Sequence, residues 1–202
     1  TLFRSPHVLF NMLNNIYSFS LAQSPRTPEL ILKLSSLLSY MLYDCKTEEV
    51  RLEKETGIMK HYIDLEKERY HNRVDVSWSI DGDTRDRFIA PLLLLPFLEN
   101  AFKHNGSGHT GKNWVSVDIS VSQDILRCKI INSKPEDSPA GEPGTGISNV
   151  QKRLRLLYPG RHDLKISDAG NYFIVSVLVQ FNEIPAVTSR SAVSGVLQTA
   201  TA

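Results

Sequence analysis

Between Pro91 and Asn105, four polar side chains interrupt an apolar run: Glu99, Asn100, Lys103 and His104. At about 100° per residue, Asn100, Lys103 and His104 share one helical face, because residues three and four apart are neighbours on a helix. Glu99 falls at the edge of that face, and Leu94, Leu95, Leu98, Ala101 and Phe102 cover the opposite side. An apolar helix with a single polar wedge suits the wall of a cleft. The same pattern also suits a half-buried helix whose charges sit in water.

Two other sets of residues are chemically suggestive. His7 and Asn11 stand four apart at the start of the run Pro-His-Val-Leu-Phe-Asn. An imidazole with one neutral nitrogen is a competent nucleophile toward phosphorus, and an amide one turn away can fix its tautomer. A histidine at a helix start fits equally well a surface residue with no special role. Further on, Gly144-Thr145-Gly146-Ile147-Ser148-Asn149-Val150 leads directly into a helical pattern. Glycines before a helix N-terminus leave backbone N–H groups open to an anion, which the helix dipole also favours; a plain turn would use the same residues. Asn132 ends the strand before that loop, and its amide can both donate and accept toward an adenine edge.

The elements that must position these residues follow from hydrophobic period and breakers. Ser5 can cap a helix and Pro6 suits its first turn, with Val8, Leu9, Met12, Leu13, Ile16 and Phe19 at helical spacing. After the proline-containing segment Ala22 to Pro28, a second amphipathic helix is predicted from about Glu29 to Tyr43, with the stripe Leu30, Leu34, Leu37, Leu38 and Met41. Such a hairpin buries its stripe by pairing with itself or with a second copy, so dimerisation through it is expected. Val50 to Tyr70 is helical in pattern, and its many Glu, Lys and Arg residues read as a solvated face. Strands are predicted over Val74 to Ile80, Trp114 to Val121, Ile125 to Asn132, Asp163 to Ser167 and Tyr172 to Val179. The layout is α+β: an N-terminal antiparallel helical hairpin over residues 1–47, then a two-layer α/β sandwich with a mixed sheet over 48–181. Residues 182–202 read as a flexible tail.

Composition narrows the class. The chain has 202 residues, is 41% hydrophobic and 22% charged, and carries a formal net charge of +1. That balance gives no support to direct nucleic-acid binding or to an anionic membrane surface, both of which favour a basic excess. Cys45 and Cys128 make no metal-ligand spacing, which suits a reduced cytosolic chain. The longest apolar run, Phe88 to Leu98, is too short to span a bilayer. The chain opens on Thr1 inside a motif, as expected of a piece of a longer protein.

Taken together, the motifs resemble the LytS-type sensor histidine kinases, including the group common in Bacteroidetes. The ATP-binding part of these proteins belongs to the superfamily shared with Hsp90, DNA gyrase B and MutL. Pro6-His7-Val8-Leu9-Phe10-Asn11 resembles the family's phosphoacceptor box, usually Asn-Pro-His-Phe-Leu-Phe-Asn. Pro96 through His104 resembles its N box, and Gly144 through Val150, followed by Lys152-Arg153-Leu154 and Leu157-Tyr158-Pro159, its second glycine box. Three motifs in the family's order over residues 4 to 181 are more specific than any one of them.

The resemblance implies an ATP- and Mg²⁺-dependent protein histidine kinase. His7 would accept the γ-phosphate, with Asn11 beside it and Glu99 orienting a metal water or assisting the proton balance. Asn100 would hold Mg²⁺, Lys103 and His104 would meet the phosphates, and Asn132 the adenine. Gly144, Thr145, Gly146 and Asn149 would form the lid side of the nucleotide site. The implied partners are a response regulator, with a DNA-binding output domain, and a second copy of the chain through the hairpin. The piece itself would be cytoplasmic, its full-length parent anchored in the bacterial inner membrane through upstream segments. There are departures: Ser5 replaces the first box's asparagine, Val8 replaces a phenylalanine, and Asn132-Ser133-Lys134-Pro135 stands where many superfamily members carry an aspartate followed by glycines. A degenerate, non-catalytic dimerisation and docking module and an Hsp90-type ATPase clamp are the alternatives.

Overall fold

A computed structural model of the chain describes residues 6–71, 73–104, 113–134 and 145–181. The expected tail and the two polar loops before and after the central strands fall largely outside these residues. Helix α1 spans Pro6–Leu21 and α2 spans Thr27–Leu42, with Pro28 in the first turn where a missing N–H is harmless. A short 3-10 turn, Asp44–Lys46, leads to the two-residue strand β1, Val50–Arg51. Helix α3 is Leu52–Arg69, followed by β2, Val74–Asp81, and the short β3, Phe88–Ile89. Helix α4 is Leu95–His104; β4 and β5 are Asn113–Ser122 and Ile125–Ser133. Helix α5, Thr145–Leu157, precedes the hairpin of β6, His162–Asp168, and β7, Tyr172–Gln180.

Five strands form one sheet in the order β2-β4-β5-β7-β6. The β2–β4 pair is parallel and the other three are antiparallel, so the sheet is mixed as expected. Period-two alternation sets the register, because a one-residue slip would turn every apolar side chain to water. Val115, Val117, Ile119 and Val121 pair with Asn132, Ile130, Cys128 and Leu126, and all eight are buried. The opposite face is polar, with Ser77 donating to or accepting from Ser116 at 2.8 Å and Ser79 donating to Asp118 at 2.7 Å. The buried face lies against α4 and α5, which pack on each other as well.

Three expectations need correction. The Leu30, Leu34 and Leu37 stripe is buried within one copy, because α2 packs along α3. Polar contacts at seven-residue intervals on α2 and the turn before it reinforce this packing. Arg26 pairs with Glu68, Lys33 with Asp64 at 2.7 Å, and Tyr40 donates its O–H to Glu55. The charged residues of α3 are not all a solvated face: Glu55, Glu66 and Glu68 are buried. Glu55, Met59, Tyr62 and Glu66 recur at four- and three-residue intervals, so two carboxylates sit on the apolar stripe itself. Finally, the helix start expected at Pro91 is displaced to Leu95. Residues Pro91 to Leu94 form a turn with Leu92 at φ 52°, a left-handed conformation that costs a non-glycine residue about 1–3 kcal/mol.

The 47/48 boundary expected from sequence falls between the 3-10 turn and β1. Burial does not stop there: Leu34, Leu37 and Tyr40 share one core cluster with Leu52, Met59 and Leu93.

Candidate functional site

Helix α4 is the framework of the site. Phe97, Leu98, Ala101 and Phe102 are fully buried, which orients the polar wedge outward from the core. Glu99 and Asn100 are half-buried and Lys103 is exposed. Phe102 packs edge-on against Tyr62 at 5.9 Å and stacks with Tyr70 at 6.4 Å, so α3 and α4 share an aromatic seam. The Tyr70 hydroxyl donates to the Phe102 carbonyl at 2.9 Å and accepts from Arg69 at 2.6 Å. Arg69 in turn meets the buried Glu66 carboxylate at 2.5 Å.

The electrostatics of this seam are unusual. Glu66 is pushed up to about 7, chiefly by burial, although the Arg69 charge opposes the rise. Glu99 is also pushed up to about 7, by burial first and by the Glu66 charge second. No described cation pairs with Glu99. The Glu66 charge thus disfavours ionisation of Glu99, as a like charge nearby does. A carboxylic acid poised near neutrality can give or take a proton at physiological pH.

Asn132 is 1% exposed and lies on the covered face at the end of β5. Its Nδ2 donates to the Ser133 carbonyl at 3.0 Å, leaving its Oδ1 as a further acceptor. Contacts of α4 with β5 and with α5 bring together the elements that carry Glu99, Asn100, Lys103, Asn132, Gly146 and Asn149. Gly146 is in the first turn of α5, where a Cβ would meet nothing within 4 Å among the described residues, and Asn149 is exposed. His7 and Asn11 lie in the first two turns of α1, which packs on α2 and α3. The side chains of His7, Asn11, His104 and Thr145, and all of Gly144, lie outside the described residues.

Residues that sequence reasoning assigned no role surround the turn before α4. Glu55, 0% exposed, accepts N–H bonds from Leu92 at 2.9 Å and Leu94 at 3.0 Å as well as the Tyr40 hydroxyl. Burial pushes its pKa up, while the bonds from Tyr40, Leu94 and Leu92 oppose that rise. From the other side, Arg153 of α5 donates to the carbonyls of Leu92 at 2.8 Å and Pro91 at 2.7 Å. Tyr158, just past α5, accepts the Ala90 N–H at 2.8 Å. The available signal was acidic residues in phase with an apolar stripe, which the abundance of charge on α3 hides. A cavity of about 470 Å³ lined by Lys67, Val74, Asp75, Val76 and Trp114 includes none of the candidate residues.

A helical hairpin precedes a mixed five-stranded sheet with a polar-faced helix, and the histidine kinase family model matches residues 4–74. The chain is similar to curated LytS sensor proteins. It is 27% identical over 195 residues to the sensor protein LytS of Staphylococcus epidermidis, covering 88% of this chain and 32% of that protein. It is 28% identical over 169 residues to the sensor histidine kinase/phosphatase LytS of Staphylococcus aureus, covering 76% and 29%. The chain thus spans about a third of the length of these curated relatives. Among solved structures it resembles histidine kinase ThkA in complex with response regulator TrrA, at 14% identity and TM-score 0.49, covering 89% of this chain and 60% of that one. It also resembles the Acinetobacter baumannii histidine kinase AdeS, at 13% identity and TM-score 0.48, covering 89% and 96%. No helix among the described residues is long and apolar enough to cross a membrane.

Proposed function

We propose that this chain is the ATP-dependent phosphotransfer part of a two-component sensor, with residues 1–47 as phosphoacceptor hairpin and 48–181 as nucleotide-binding domain. The observation that carries the reading is the Glu99–Asn100 pair on α4: an uncompensated carboxylate held near neutrality beside a half-buried amide. The neutral imidazole nitrogen of His7 attacks the γ-phosphorus, the bond to the β-phosphate oxygen breaks, and ADP departs. The proton left on the other ring nitrogen passes to a base, and Glu99 of α4, held near neutrality, is a group able to take it. Asn100 would hold Mg²⁺, which when bound supplies charge neutralisation on the phosphates. Lys103 and His104 would meet the phosphates, Gly144, Thr145, Gly146 and Asn149 would form the lid side, and Asn132 would meet the adenine.

The phosphoryl group then moves from His7 to an aspartate of a response regulator carrying a DNA-binding output domain. Parent proteins of this kind sit in the bacterial inner membrane, with this part on the cytoplasmic side. A second copy docks on the face of the hairpin that α3 leaves uncovered. Labelling with γ-phosphate-tagged ATP tests the reading: the wild type is expected to form acid-labile, base-stable phosphate, and His7→Gln none. Equal labelling of His7→Gln sinks the phosphoacceptor assignment. Sustained phosphate release that survives loss of His7 points instead to an ATPase clamp, and absence of nucleotide binding to a docking module.

A further inference from the structure

We propose that Tyr40, Glu55 and Arg153 are positioning residues that couple the hairpin to the nucleotide-binding helix α4 through the strained Pro91–Leu94 turn. The inference rests on the phosphotransfer reading of α4, and it concerns residues to which that reading assigns no role. Its geometric basis is a single four-residue turn held from three elements at once. The Tyr40 phenol reaches it from the last turn of α2 by way of the Glu55 carboxylate. Glu55 of α3 binds the Leu92 and Leu94 amides directly at 2.9 and 3.0 Å. Arg153 of α5 binds the Leu92 and Pro91 carbonyls at 2.8 and 2.7 Å.

The turn is a suitable transmitter for three physical reasons. Leu92 occupies a left-handed conformation at φ 52°, which persists only where surrounding groups over-determine it. The turn feeds directly into Leu95, the first residue of α4, so a change in the turn re-aims the helix bearing Glu99 and Asn100. Glu55 is fully buried, so it has no water to replace a lost donor, and the loss of the Tyr40 bond must be absorbed by the backbone amides it still holds. The other ties between hairpin and α3, Lys33–Asp64 and Arg26–Glu68, end on α3 without touching the turn. In an antiparallel hairpin the end of α2 lies beside the start of α1, the helix bearing His7. Hairpin movement that tugs Tyr40 therefore reaches the phosphate-binding helix, and by linkage nucleotide binding reaches the hairpin.

Amide hydrogen exchange on the 202-residue chain with and without Mg²⁺-AMP-PNP tests the coupling, together with labelling kinetics. In the wild type, nucleotide is expected to change exchange both at residues 90–95 and in the last turn of α2. In Tyr40→Phe, which keeps the ring, the α2 change disappears while nucleotide affinity stays within about twofold. The labelling rate of His7 at saturating ATP falls about tenfold, the scale of an ordinary coupling between sites. Lys33→Met breaks a neighbouring tie and leaves both responses as in the wild type. A wild type whose nucleotide response stops at the turn overturns the relay while leaving the phosphotransfer reading intact. So does a Tyr40→Phe variant with unchanged labelling, or a Lys33→Met variant with the same defect. A wild type that binds no nucleotide removes the phosphotransfer reading, and the relay with it.

Discussion

Replacing Glu66 by Gln tests the α3–α4 seam most directly. Glu66 and Glu99 are each raised from an ordinary 4.5 to about 7, with burial the first cause in both. At about 1.4 kcal/mol for each tenfold change in proton affinity, that difference is on the order of 3 kcal/mol per carboxylate. The sign follows from proton counting. Between pH 4.5 and about 7 the folded chain holds more protons here than the unfolded chain does, so stability falls as pH rises through that window. Because the two acids interact, they titrate as a pair and their contributions do not simply add.

Glutamine copies the shape and charge of protonated Glu66, so the variant is expected to match the wild type near pH 5. Above pH 7 it no longer suffers the ionisation of Glu66, and Glu99 loses the negative neighbour that is its second cause of elevation. Against this, Arg69 loses the charge it meets at 2.5 Å and keeps its 2.6 Å bond to the Tyr70 hydroxyl. The net expectation is that the decline in unfolding free energy from pH 5 to 8 shrinks by about 1–3 kcal/mol. Urea unfolding at several pH values, followed by the fluorescence of Trp78 and Trp114, measures it. Carbon-13 carboxyl titration gives the individual values, and the acid limb of the labelling rate is expected to move below pH 7. A variant with the same stability slope as the wild type between pH 5 and 7 refutes the argument.

Two further outcomes probe the scaffold. Gly82 has φ 88°, and a Cβ there would stand 2.0 Å from the Val121 carbonyl oxygen, so Gly82→Ala is expected to destabilise the chain by about 3 kcal/mol in urea unfolding. Leu13, Tyr17 and Leu21 are 45%, 64% and 68% exposed and recur every four residues on α1. Changing Leu13 and Tyr17 to Glu is therefore expected to convert a dimer to a folded monomer in sedimentation; a wild type that is already monomeric rules out that interface.

The central strands were legible because their information is local. Alternation over Trp114 to Val121 and Ile125 to Asn132 sets both burial and register, and β4 and β5 lie within one or two residues of those limits. Helix α5 and the β6–β7 hairpin were legible for the same reason. The α4 boundary was not. Leu92 and Leu94 look like the first turn of an apolar helix, but their amides are taken by Glu55, a residue more than thirty-five positions earlier. No local propensity reports such a bond. The two-residue pairing of β1 with β3, Val50 with Ile89 and Arg51 with Phe88, is non-local in the same way.

The misread residues have a common cause. A charged residue on a charge-rich helix reads as solvated, and for most of α3 that reading is sound. Glu55 and Glu68 are exceptions because each has a partner delivered by another element, the Pro91–Leu94 turn and the α2 approach, while Glu66 is paired by Arg69 of its own helix and buried. Burying three carboxylates on one helix lowers stability relative to apolar residues unless each is matched. Two of the three, Glu55 and Glu66, sit where α3 meets the Pro91–Leu94 turn and α4. Local rules fail here at contacts between elements distant in sequence, where tertiary partners override local preference. Met or Leu at position 66 separates the two roles: stability rises at neutral pH if the carboxylate serves function alone, and falls if Arg69 cannot do without it.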